Sequence, residues 1–282
     1  MNRRILTRDV TVPGPNFFGT KSSITFVPVE EPGWFLLVGE GEKLQKIPID
    51  HRIASYCSGR IKISFNSTEI NIWEHIGALR FLGIDGIGVK VPVGSKWPPY
   101  LGGAAAYYKE LVPYIKTIDE KIPEIKIRGC SSWRDLSKIE RIVFIAETAN
   151  GSMQNRSLIL DVSAQWKPFP EDHIWLNVGE ESRDFLINEV FQSKPQGYPL
   201  SRYYAAKTAS FFGWPNMKYI SWANDFKSPE EFAHQCCLHR VQDFLGGLSL
   251  ASHFALPKGS AYSLNGGHKG DLRVVKVGFP IV

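Results

Sequence analysis

The sequence has few cysteines and no long apolar run, and both absences narrow its class. Its four cysteines, at positions 57, 130, 236 and 237, include no CxxC pair, so we expect reduced thiols in a cytoplasmic protein rather than a disulfide framework. No stretch of about 18 apolar residues occurs, which predicts no transmembrane helix. The basic N-terminal residues lack the apolar segment of a signal peptide.

Runs of one charge are absent as well. The formal net charge is only +5, from 33 basic and 28 acidic residues, and these are dispersed along the chain. This pattern excludes a basic nucleic-acid-binding arm or an acidic tail, and we expect no nucleic-acid partner. The few extra cations fit a phosphorylated small-molecule substrate or transient contact with an anionic membrane surface. We expect a monomer.

Two similar series of strands and helices are present instead. The first 70 residues divide into short alternating segments bounded by Gly and Pro, as strands do. Asn71–Leu82 has helical spacing and is closed by Gly83, and a second helix, starting near Ala104, is kinked or stopped by Pro113. The pattern predicts an α+β fold of two similar domains, residues 1–120 and 121–282, with sheets and helices packed as layers.

Other segments carry weaker signals. Lys116–Pro123 is polar and is predicted to link the two units. Further predictions are a loop at Pro168–Val178, a helix at Ser201–Phe212, a strand at Met217–Ala223, a loop at Pro257–Gly267 and a terminal strand at Leu272–Val282.

Pro229–Leu250 is the strongest helix signal in the second half. Ser228 and Pro229 give it a start, and Gly246–Gly247 predict its end. His239 and Asp243 lie four residues apart on one face, where they form either a surface pair or two ligands of a metal ion. His234, five residues before His239, lies off that face and is the alternative ligand.

A third ligand is available in the first half. Glu74 and His75 are adjacent in the helix at Asn71–Leu82, and both can border one site. His75, His239 and Asp243 would leave a tetrahedral zinc ion with an open position, which is the arrangement of a catalytic site. Glu74 would then be the general base.

Several segments resemble one enzyme family. The segments are IWEHIGALRFLGIDGIGVKV, LHRVQDFLGGL, the opening VTVPGPNFFGTKSSITFVPVEEPGWFLLV and WPPYLGGAAAYYKEL. They are similar to VEHLxALxGLGIDN, HKILDAIGDL, VxxxGVGLHSGxxVTLTLxPA and IPxMDGSAxPFVxxL of the UDP-3-O-acyl-N-acetylglucosamine deacetylases of lipid A biosynthesis. The resemblance spans most of residues 5–115 and 229–267, whereas 125–227 aligns only loosely.

The resemblance implies a zinc-dependent hydrolase that removes the N-acetyl group from a nucleotide-activated or other N-acetylated amino sugar. His75, His239 and Asp243 would bind Zn²⁺ and Glu74 would activate the water. Each domain would be a sheet packed on two helices, with the active site at their junction. Arg240 stands at a family lysine and Lys194 near a family arginine, which implies that both contact substrate. An apolar groove near Ser201–Phe212 would hold the acyl chain.

The sequence also departs from the family pattern. Gly247 replaces an Asp that supports the family's catalytic histidine, and Tyr262 takes that histidine's own place. The acid role is therefore open between Glu74, Tyr262 and His268, with His253 as a further candidate. Pro195 or Phe211 stands where the family has an oxyanion-holding threonine. The alternatives are a paralogue that deacetylates another N-acyl sugar or metabolite, and an inactive metal-binding relative.

Overall fold

A computed structural model describes residues 1–92, 95–127, 129–135, 141–147, 158–197, 208 and 220–279. These residues form both helices and sheets, so the α+β class is confirmed. Within the described residues, no helix has the length and apolar character needed to cross a membrane.

The first half builds a five-stranded sheet and a smaller three-stranded one. Its strands are β1 (Asn2–Leu6), β2 (Val10–Pro15), β3 (Lys21–Pro28), β4 (Trp34–Val38), β5 (Gln45–Pro48), β6 (Ala54–Cys57), β7 (Arg60–Phe65), β8 (Thr68–Ile70) and β9 (Ile87–Lys90). The larger sheet has the order β2-β3-β9-β4-β5, and the smaller one β6-β7-β8. Alternating residues of β3, such as Ile24 and Phe26, are fully buried, as a strand with one buried face requires.

The second half builds a larger sheet of its own. The strands of the second half are β10 (Ile115–Lys121), β11 (Glu124–Lys126), β12 (Cys130–Asp135), β13 (Arg141–Ala146), β14 (Leu158–Gln165), β15 (Glu171–Val178), β16 (Gln196–Gly197), β17 (Ser221–Trp222) and β18 (Leu256–Leu264). The main path runs β12-β13-β18-β14-β15, and β11 also pairs with β18. On its main path, each sheet has one parallel pair, β4 with β9 and β14 with β18, between antiparallel neighbours, and β11 adds a second parallel pairing with β18. The two sheets thus repeat one topology.

The labelled helices are α1 (Trp73–Gly77), α2 (Ala104–Leu111), α3 (Arg183–Phe185), α4 (Pro229–Leu248) and α5 (His268–Gly278). A 3₁₀ turn at Ala78–Leu82 continues α1, and α2 ends at Leu111, shortly before Pro113. The hydroxyl of Ser228 caps α4 by accepting a hydrogen bond from the Glu231 amide, as predicted.

Helix α4 is the central helix of the described structure. It packs against α1, α5, β14 and β15, and every residue from Cys236 to Leu248 is buried. Polar side chains in this stretch therefore need internal partners.

Several sequence predictions were wrong. Lys116–Pro123 is largely strand β10, which pairs with β1, and Glu171–Val178 is strand β15 rather than loop. The predicted loop at Pro257–Gly267 is mostly β18, whose small residues fit a strand with partners on both sides.

The predicted terminal strand is helix α5, in which Leu272 and Val275 are buried three residues apart, at helical spacing. Helix α4 also continues through Gly246 and Gly247 to Leu248, because both glycines are packed against neighbouring elements. The helix predicted at Ser201–Phe212 falls almost entirely outside the described residues, and the strand predicted at Met217–Ala223 falls partly outside them.

Candidate metal centre

Helix α1 carries Glu74 and His75 into the protein interior. The chain enters α1 through Ile72 in a left-handed conformation (φ 66°), and both residues are 3% exposed. The backbone N–H of Ile61 on β7 donates to Glu74 Oε2 at 2.9 Å. Glu74 is therefore held in place by β7 through Oε2, and Oε1 faces His268 at 4.0 Å.

Gly246 lets α4 approach α1 closely. A Cβ at this position would overlap the Glu74 carbonyl oxygen and meet the carbonyl carbon and Cα of Glu74 at 2.5 Å. No side chain larger than hydrogen fits at this contact without a shift of one helix. The close approach brings His75 of the first half to His239 and Asp243 of α4.

The three predicted ligands converge. Asp243 Oδ1 lies 3.4 Å from His239 Nε2 and 3.8 Å from His75 Nε2, and one donor atom from each residue lies within 4.8 Å of the others. Donors bound at about 2.0–2.2 Å to a tetrahedral zinc ion are about 3.3–3.6 Å apart. The His239–Asp243 separation falls in this range, and the His75–Asp243 separation is slightly longer.

The polar atoms at the centre also fit a cation. Among the described residues, Asp243 Oδ1 is buried and has no hydrogen-bond partner. The Ser193 carbonyl accepts a 3.4 Å hydrogen bond from His239 Nδ1, which leaves the lone pair of Nε2 directed at Asp243. A carboxylate oxygen and a neutral imidazole nitrogen are ligand types that zinc binds in proteins.

The pKa shifts of the three ligand residues also favour a bound cation. Burial lowers the pKa of His239 to about 4 and that of His75 well below its usual value, so both rings are neutral, as metal ligands must be. Burial, reinforced by the charge of Glu74, raises the pKa of Asp243. A divalent cation would add its positive charge to that of Arg60 beside Glu74 and Arg240 beside Asp243.

Glu74 has the properties of a general base near neutral pH. Burial raises its pKa to about 7, against the opposing effect of hydrogen bonds from backbone amides. A carboxylate with that pKa can take a proton from water and release it again.

Of the two histidines considered for the acid role, His253 and His268, only His268 lies at this site. It is the first residue of α5, and its Nε2 lies 3.6 Å from Asp243 Oδ2 and 4.0 Å from Glu74 Oε1. Burial, together with the charge of Arg240, lowers the pKa of His268 to about 3. Of the residues proposed for proton delivery, Glu74 and His268 are therefore together.

The other two candidates for the acid role lie elsewhere. Ser263 accepts a hydrogen bond from Arg240 of α4, and its neighbour Tyr262 points to the opposite face of β18, because side chains alternate along a strand. His253 packs against Phe35, with ring centroids 5.7 Å apart. The structure thus corrects the predictions of Tyr262 as a catalytic residue and of His253 as a substitute histidine.

Asp271 is a site residue that sequence reasoning missed. Its carboxylate forms two hydrogen bonds with the Arg240 guanidinium, and its Oδ2 lies 3.9 Å from His268 Nδ1. A Cβ at Gly247 would lie 2.9 Å from the Asp271 Cβ, so Asp271 fills the space beside Gly247. The His268–Asp271 spacing of three residues could have revealed the pair, had this segment been predicted as a helix.

The remaining predicted residues have clear positions. The Arg240 side chain is buried, and its donors serve Asp271 and Ser263, so its contact with substrate stays a prediction. Lys194 is exposed and follows Ser193, the residue that orients His239, and its substrate contact also stays a prediction. The alternative ligand His234 is exposed and pairs with Asp172 at 2.8 Å instead.

The two positions proposed for the oxyanion threonine have different outcomes. The carbonyl of Pro195 accepts a hydrogen bond from the Ser221 amide, and its side chain has no hydroxyl to offer. Phe211 lies outside the described residues.

No model of a known protein family matches the sequence, and no curated protein matches it.

Proposed function

We propose that this protein is a zinc-dependent amidohydrolase that removes the N-acetyl group from an amino-sugar substrate. The observation that carries the proposal is the convergence of His75, His239 and Asp243 beside a buried Glu74. His75, His239 and Asp243 would hold the ion. Bound there, zinc supplies Lewis acidity, which activates water and polarises a carbonyl oxygen.

The protein's own residues account for the proton transfers. Glu74 accepts a proton from the attacking water, while the water oxygen bonds to the acetamide carbon. The C–N bond then breaks, the amine nitrogen takes that proton from Glu74, directly or relayed by the neutral His268 ring, and acetate leaves. His268 lies 4.0 Å from Glu74 Oε1, within reach of the same reaction volume.

The nearest substrate by sequence resemblance is UDP-3-O-acyl-N-acetylglucosamine. We also propose that the protein has two domains with the site at their junction, that it is a monomer and that it is cytoplasmic. The repeated strand order of the two sheets supports the two-domain part. Proline at position 195 has neither a hydroxyl nor an amide N–H, which favours another N-acyl sugar or metabolite as the second candidate.

The test combines zinc content with acetate release. Purified wild-type protein should carry about one zinc ion and release acetate from UDP-3-O-acyl-N-acetylglucosamine or another N-acetylated amino sugar. Glu74→Gln should keep the zinc and lose about 10²–10⁴-fold in kcat, since it removes only the base. His75→Ala should lose the zinc as well.

His234→Ala is the matched control, because it removes an exposed histidine from the same helix as His239. It should retain both zinc and turnover. The proposal fails if the wild-type protein binds no zinc, or if His75→Ala and His234→Ala behave alike.

A further inference from the structure

A partly exposed arginine is held against two aromatic rings near the candidate metal centre. The Arg60 guanidinium carbon lies 4.1 Å from the Phe17 ring centroid and 5.2 Å from that of Trp97. These two rings stack on each other with centroids 5.9 Å apart. Cation–π attraction therefore favours one position of the guanidinium.

This position is connected to the site. Arg60 precedes Ile61, whose amide donates to Glu74 Oε2. The Phe17 ring packs edge-on against Tyr100 at 5.3 Å, and the Tyr100 ring lies 6.1 Å from that of His75. An Arg60 ligand would thus lie beside the reacting groups.

The donors of Arg60 are unused within the part of the chain that the structure describes. There its side chain makes no hydrogen bond and no ion pair, only the two ring contacts. Arg3, Arg52 and Arg240 differ, since each pairs with an aspartate. A guanidinium offers a planar fork of N–H donors that matches a phosphate or carboxylate.

We infer that Arg60 binds an oxyanion of the substrate, a phosphate or a carboxylate, next to the acetamide that is hydrolysed. The inference rests on the proposed function for the acetamide. Binding of the oxyanion itself needs no turnover, so the two can be tested apart.

The binding experiment uses glucose 1-phosphate and glucuronate, which carry the two anions but no acetamide, with glucose as the neutral reference. Titration calorimetry on zinc-loaded protein should give at least about tenfold tighter binding of one anion than of glucose. Arg60→Gln should abolish that preference, and Arg60→Lys should keep part of it, since the charge remains but the fork is lost.

Lys62→Gln is the matched control. Lys62 lies two residues further along β7, on the same face as Arg60, but it already pairs with Glu69 at 3.3 Å. This variant should bind both anions as the wild type does. The preferred anion shows whether the substrate carries a phosphate or a carboxylate at this position.

The turnover experiment compares N-acetylglucosamine with its 1-phosphate, or with its carboxylate analogue if glucuronate is preferred. Arg60→Gln should lower kcat/KM about tenfold or more for the anionic substrate and leave it unchanged for the neutral one.

The outcomes separate the two hypotheses. Equal anion affinity in wild type and Arg60→Gln, at equal zinc content, overturns the assignment of Arg60, whatever the turnover. An Arg60-dependent anion preference without release of acetate from any N-acetyl sugar supports the anion site and overturns the proposed function.

Discussion

The Asp271 side chain of α5 lies where a side chain at position 247 of α4 would otherwise be. Gly247 leaves room on α4, and Asp271 from α5 fills it, between Arg240 and His268. The pair of Asp271 and Arg240 is buried, with side-chain exposures of 0% and 8%. Such a pair often contributes little net stability, but removing one partner leaves a buried charge uncompensated.

This argument predicts a separation of stability from activity. Asp271→Asn should lower the free energy of unfolding by about 3–5 kcal/mol, because the Arg240 charge loses its partner. The double variant Arg240→Met with Asp271→Leu should recover most of that stability. If Asp271 also orients His268, the double variant should remain well below wild-type kcat. Urea unfolding and steady-state kinetics measure the two quantities, and a parallel recovery of both would reduce Asp271 to a structural role.

At the scale of elements, the contact of α1 with α4 sets the spacing of the ligands. We predict that Gly246→Ala pushes these helices apart, since its methyl group would overlap the backbone of Glu74. Overpacking of this kind costs about 1–3 kcal/mol. The shift should also separate His75 from His239 and Asp243, so that zinc affinity falls at least about tenfold. Competition with a chelator of known affinity measures this.

Gly179→Ala is the control for that change. A Cβ at Gly179 has no neighbour within 4 Å, so this variant should keep wild-type zinc affinity. A Gly246→Ala protein with unchanged zinc affinity would contradict the role given to the helix contact.

Some features of the elements could be predicted from local sequence signals, and others could not. The spacing of His239 and Asp243 predicted a shared helical face, because that relation depends only on the helix itself. The predicted end of α4 was wrong. Gly246 and Gly247 weaken a helix locally, but here their lack of a side chain allows close packing with Glu74 and Asp271. Local propensity cannot register contacts with residues outside the helix, such as Glu74 and Asp271.

Misread elements hid part of the site. Small and polar residues made β18 look like a loop, although strands β13 and β14 flank it. The apolar residues Leu272, Val274 and Val275 looked like part of a strand, but they lie on the buried face of α5. The pairing of His268 with Asp271 depends on both residues lying in helix α5. Because no helix was predicted there, Asp271 could not be recognised as a site residue from the sequence. The convergence of His75 with α4 is likewise a property of the assembled fold.

At the scale of the whole molecule, a metal ion would join two distant parts of the chain. His75 comes from the first half, and His239 and Asp243 come from the second. Binding of an ion to the folded state alone adds stability in proportion to the logarithm of its concentration over Kd, which amounts to about 4 kcal/mol at 1,000 times Kd. We therefore predict that stoichiometric zinc raises the unfolding temperature of metal-stripped protein, whereas magnesium, which prefers oxygen ligands, does not.

The ligands themselves provide the decisive comparison. Metal-stripped His239→Ala should gain little stability from zinc, because a single histidine and one carboxylate hold the ion weakly. His234→Ala should respond as the wild type does, since His234 pairs with Asp172 on the surface. Thermal unfolding of all three proteins, with and without zinc, measures the effect. An equal rise in the three would show that zinc binds elsewhere, and that the ligands on α1 and α4 do not tie the two halves together.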